Sequence, residues 1–72
     1  MLLSELGEGE KSRIKRVSLL GKPLAKAWEL GIRKGEEVAV LKKYRHGGGV
    51  VTVSGTNISL GREVVSKIEV ED

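Results

Sequence analysis

The sequence predicts an all-β fold, a small, partly open barrel of about five short strands with one short α-helix after the first strand. Three observations carry that prediction. Runs rich in valine and isoleucine are short and separated by glycine-bearing turns, from Ile14 through Val70. One stretch alone, between Pro23 and Leu30, has its apolar residues at helical spacing. The chain has 72 residues, enough for one core and therefore one domain, 1–72.

Taken in order, Leu2, Leu3 and Leu6 ahead of Gly7 and Gly9 make an apolar anchor followed by a turn. Residues 11–20 read as the first strand. Ile14 and Val17 are three apart, which strict alternation would place on opposite faces. A bulge near Lys15-Arg16 returns both to the core and turns a barrel corner. Gly21-Lys22-Pro23 breaks the strand, and Pro23 suits the first turn of a helix, where its missing N–H costs nothing. Leu24, Ala27 and Trp28 give that helix an apolar face, and Gly31 fits the left-handed position after its end. Gly35 marks the next turn. Residues 38–41 and 50–53 are the predicted second and third strands, with a flexible hairpin loop at 45–49 between them. Gly55-Thr56-Asn57 reads as a turn into a fourth strand at 58–60. Residues 62–66 have room for one helical turn, and 67–71 alternate cleanly as a fifth strand.

Composition removes several classes of chemistry. With no cysteine, disulfides, thiolate metal sites, iron–sulfur ligation and thiol nucleophiles are all excluded. The serines have no histidine base other than His46, and no carboxylate pair is placed for acid–base work. No catalytic residue is assigned, and no enzyme is expected. His46, beside three glycines, reads as an exposed loop residue; a metal would need convergent ligands that the sequence lacks, so neither metal nor cofactor is expected. Gly47-Gly48-Gly49 precedes a strand, without the Lys-Ser/Thr pair and helix of a phosphate-binding loop.

No signal-like start and no apolar stretch near ~20 residues is present. The expectation is a cytoplasmic protein without direct membrane insertion. Thirteen basic residues against ten acidic give a formal charge of +3. The balance permits an acidic partner or nucleic acid and demands neither.

Two stretches in this order and spacing resemble the ferrous iron transport protein A (FeoA) family. The first is Leu30-Gly31-Ile32-Arg33-Lys34-Gly35-Glu36-Glu37-Val38-Ala39-Val40, a helix end, a glycine-bounded turn and a strand. The second is Val53-Ser54-Gly55 leading to Ile58-Ser59-Leu60-Gly61-Arg62-Glu63, then Val65, Ile68 and Val70. Leu6-Gly7-Glu8-Gly9 and the pair Ile14/Val17 extend the resemblance over essentially the whole chain. Ala27 stands where the family usually has a larger apolar residue, and Val65 where a small alanine is common. The resemblance implies an SH3-like barrel and a small cytosolic partner of a membrane ferrous-iron transporter bearing a GTPase domain, neither catalyst nor iron carrier. The same barrel closes iron-dependent transcriptional repressors. A start at Met1 without a helix-turn-helix ahead of it points instead to a free-standing adaptor.

Six residues are candidates for partner contact: Trp28, Leu20, Leu41, Tyr44, Arg13 and Lys15. Trp28 either completes the core or stands partly exposed as an anchor. Leu19, Leu20 and Leu41 share that choice, because Val17, Val38 and Val40 already supply inward faces. Arg13 and Lys15 project to one side of the first strand. The alternative is a nucleic-acid or transcription-regulator-associated module using residues 11–16. Nucleic acid is not the expected partner, since stacking platforms need more aromatics than Trp28 and Tyr44. A third reading is a homodimer through the last strand or the helix face.

Overall fold

The computed structural model describes residues 1–72. A short 3-10 turn, Leu3–Glu5, is followed by β1 (Lys11–Val17), α1 (Gly21–Glu29), β2 (Glu37–Lys43), β3 (Gly49–Val53) and β4 (Thr56–Leu60). A one-turn helix α2 (Arg62–Val65) then leads into β5 (Ile68–Val70). The five strands form one antiparallel sheet in the order β4-β3-β2-β1-β5. β4 and β5 are its two edges and do not pair, so the barrel is open between them.

The sheet curls because β1 serves two neighbours. Its first half pairs with β2 through Lys11, Ser12 and Arg13, and its second half with β5 through Ile14, Arg16 and Val17. The β5 register shifts between Ile14 and Arg16. This is the bulge that the Ile14/Val17 spacing demands, and it bends the strand around the core. Ile14 is 1% exposed. β1 ends at Val17, short of the predicted residue 20, where the Ser18 N–H donates to Lys67 O at 2.8 Å.

A second bulge was not anticipated. Between Val40 and Lys42 the β2–β3 register shifts, leaving Leu41 outside while Val38 and Val40 stay buried. The glycines that follow turn the predicted β2–β3 hairpin and lie close against neighbouring backbone. A Cβ on Gly49 would run into the Lys42 carbonyl oxygen, and one on Gly48 would lie 2.6 Å from Leu60 O. The hairpin tip is thus packed backbone to backbone against β2 and the β4–α2 junction. The β3–β4 turn also sits one residue earlier than predicted. Val53 pairs with Thr56, and Ser54 and Gly55 both have positive φ, 51° and 75°, as a two-residue type I′ hairpin requires.

Fifteen buried apolar residues form one core, with Ile14, Val38, Val53, Ile68 and Val70 among its least exposed members. The N-terminal segment extends the β5 side of the sheet. Leu2 bridges Glu69, and the Val70 N–H donates to Met1 O at 2.7 Å. Val65 is accommodated in the core at 6% exposure. No helix is long and apolar enough to cross a membrane.

Candidate functional site

Leu20 caps α1 with an extended backbone, and Leu24 and Trp28 follow at successive steps of four. That spacing places Leu24 and Trp28 along one row of the helix, with Leu20 just ahead of its first turn. The core takes a different flank: Ala27 is 4% exposed, whereas Trp28 is 57% and Leu20 83% exposed. Trp28 therefore does not fill the space beside Ala27, and the helix presents a ridge of large apolar side chains to solvent.

The end of α1 is closed by a Schellman motif. The Ile32 N–H donates to Ala27 O at 2.9 Å and the Gly31 N–H to Trp28 O at 3.1 Å, with Gly31 at φ 90°. A Cβ there would sit 2.7 Å from Ser54 Oγ, which can turn away, so it is the positive φ that calls for glycine. Ile32 then enters the core, and the chain doubles back along the helix. Arg33 Nε donates to Trp28 O at 3.0 Å, and its guanidinium lies 4.6 Å from the centre of the Trp28 ring. This cation–π contact steadies an exposed indole at the cleft edge.

Between α1, the second half of β1 and the segment after Gly31 lies a cleft of about 330 Å³. Val17, Leu24, Trp28 and Ile32 supply its apolar lining. Lys15, Arg16, Arg33 and Lys34 supply the rest, and no acidic side chain lines it. The nearest counter-charge is Glu69 on β5, which accepts from Arg16 Nη2 at 3.0 Å and Nε at 3.2 Å. Its other oxygen is 3.8 Å from Lys15 Nζ. One carboxylate thus serves two cations, and the cleft keeps a net positive field.

The hydrogen bond from Arg16, ahead of the charges of Arg16 and Lys15, holds the Glu69 carboxyl below its ordinary value of 4.5. A depressed carboxylate contributes stability above its unfolded-state pKa and loses it as pH falls through the folded value. Arg16→Gln is expected to raise the Glu69 midpoint toward the ordinary range in a carboxyl-carbon NMR titration. An unmoved midpoint would show that Arg16 does not hold the carboxylate in solution.

Of the sequence candidates, the structure brings Trp28 and Lys15 into this cleft, with Leu20 at the head of the same ridge. Arg13 is occupied elsewhere, its Nη1 donating to Gly35 O at 2.7 Å. Leu41 projects from the β2 bulge. Tyr44 stacks on His46 at 5.8 Å, near Lys42. Neither Leu41 nor Tyr44 lines the cleft. Leu24, Arg33 and Lys34 were not singled out as contact residues. Leu24 shares the four-residue spacing of Leu20 and Trp28, while Arg33 and Lys34 become neighbours of Trp28 only because the Gly31 cap reverses the chain. No three His, Asp or Glu side chains converge as metal ligands would.

The chain superimposes with a TM-score of 0.90 on iron(II) transport protein A from Clostridium thermocellum, at 32% identity over 99% of this chain. It spans only 44% of that protein's length. FeoA from Chlorobium tepidum also gives 0.90, at 25% identity, covering 99% of this chain and 69% of that one. Stenotrophomonas maltophilia FeoA complexed with zinc gives 0.82 at 28% identity, covering 99% and 89%. That protein is described as an SH3 domain protein and put forward as a ferrous iron transport activating factor. A search of curated proteins found no match. The open five-stranded sheet is thus an SH3-like barrel, and the FeoA domain family matches residues 1–72. Because the match takes in every residue, the chain belongs to the FeoA family.

Proposed function

We propose that this protein is a cytosolic accessory of ferrous iron uptake that docks on the cytosolic part of a membrane ferrous-iron transporter GTPase. Family membership supports the pathway. The observation that supports docking is the exposed Leu20, Leu24 and Trp28 ridge beside a cleft lined with cations. A domain of 72 residues has little apolar side chain to spare from its core, so a bulky ridge left in water marks a contact surface. The role is non-catalytic: binding one transporter conformation better than another shifts the transporter's equilibrium.

The test is binding of the protein to its purified, reconstituted transporter, followed by nucleotide turnover and ferrous iron flux. Saturable binding with a shift in either rate is expected. No binding and no shift in either would remove the proposal. A nucleic-acid role is the weaker reading, because Trp28 is the cleft's one aromatic and base stacking needs a larger aromatic platform.

A further inference from the structure

The geometry points to the α1 cleft as a receptor for an acidic protein segment carrying one bulky apolar side chain. The inference rests on the docking role just proposed and names the chemistry of the partner surface. Charge decides the first half of it. Lys15, Arg16, Arg33 and Lys34 line the cleft with no acid among them, and Glu69 offsets only one charge of the four. The surface is therefore complementary to carboxylates and repels a basic partner.

Shape decides the second half. The apolar lining sits between the helix and the strand, within a concavity of about 330 Å³. A concave apolar lining takes a side chain inserted from a protein partner. In this cleft the cations and the apolar groups line the same walls, which fits an acidic segment whose carboxylates flank its anchor. Glu69 then acts as the resident competitor: it holds Lys15 and Arg16 until an incoming carboxylate replaces it.

The experiment uses the full chain and a fluorescent peptide with a central phenylalanine flanked on both sides by glutamates. Its glutamine-substituted counterpart is the control. Amide NMR shifts on titration are expected to cluster at Lys15, Arg16, Leu24, Trp28, Arg33 and Lys34. The joint substitution Lys15→Glu and Lys34→Glu is expected to weaken binding by about tenfold or more. Glu69→Gln, which removes the competitor, is expected to strengthen it by up to about fivefold, the ceiling for an exposed ion pair. Lys15 and Lys34 are exposed and Glu69 is half-buried, and a dispersed NMR spectrum confirms that each variant is folded.

Shifts absent or scattered over the barrel, or equal affinity for the glutamine peptide, would overturn the inference. So would tighter binding to phosphatidylglycerol vesicles or to single-stranded DNA than to the acidic peptide. The two proposals fail separately. If the reversed-charge variant still binds the reconstituted transporter as the wild type does, the acidic-segment inference falls and docking stands. If the wild type does not bind the transporter at all, docking falls whatever the peptide does.

Discussion

Gly49→Ala is expected to remove about 3 kcal/mol of stability, most of what a core of this size holds. Gly49 is buried at the start of β3, paired with Lys43 immediately after the β2 bulge. An added Cβ would overlap the Lys42 carbonyl oxygen, with the Lys42 carbonyl carbon 3.1 Å away and Lys43 Cα 3.2 Å away. These are backbone atoms of a paired strand, so no rotamer change relieves the clash. Either β2 and β3 separate or the bulge rearranges, and each disturbs the register that buries Val40 and Val51. Gly48→Ala should fall in the same range, because a Cβ 2.6 Å from Leu60 O adds to the strain of φ 76°.

Gly9→Ala is the control. Its φ of 84° carries the same conformational strain, but nothing lies within 4 Å of the added Cβ, so a loss of about 1 kcal/mol is expected. Urea denaturation of the three variants separates close approach from conformational strain. Equal losses for Gly49→Ala and Gly9→Ala would show that the hairpin tip is not held against β2.

What could be read from the sequence follows from what each signal measures. Ile14 and Val17 at an odd spacing announced a bulge, because two apolar residues on one strand face cannot otherwise be three apart. Pro23 and Gly31 framed α1 through backbone restrictions that hold in any context. The second bulge left no such trace, since Val38, Val40 and an outward Leu41 satisfy plain alternation even though the shift falls at Leu41. The three glycines were ambiguous for a related reason. A glycine run looks the same whether it serves freedom or close approach, and only the position of Lys42 O and Leu60 O decides.

The candidate site divides along the same line. Trp28 and Lys15 were legible as individuals, one a large aromatic at a helix position and the other in a basic run. Their meeting was not, because it depends on how α1 is rotated over the core. Ala27 is the one side chain of the helix that is buried, and Leu24 and Trp28 are left outside the core. Arg33 and Lys34 reach the cleft only through the reversal at Gly31. Such tertiary placement has no periodic signature.

Trp28→Ala is expected to weaken transporter binding by about thirtyfold while leaving the fold intact. The first half of that expectation comes from the size and position of the indole. Tryptophan anchors at interface centres commonly contribute 2 kcal/mol or more on truncation, equivalent to about thirtyfold in affinity. The second half comes from its exposure. At 57% exposed it is absent from the buried core, and its main specific partner is Arg33. The Arg33 Nε bond goes to the Trp28 carbonyl, which alanine keeps, so the cation–π contact is the one specific interaction lost, along with the partial burial of an indole that stays 57% exposed. The stability change should therefore stay within about 1 kcal/mol. Leu41→Ala is the matched comparison, removing an exposed apolar side chain from the β2 bulge outside the cleft; its affinity should match the wild type. Paired measurements of affinity and thermal denaturation give each outcome a meaning. Affinity lost with Leu41 and not with Trp28 would move the docking surface to the bulge. Several kcal/mol of stability lost with Trp28 would make the indole a structural element, and the exposed ridge would no longer mark an interface.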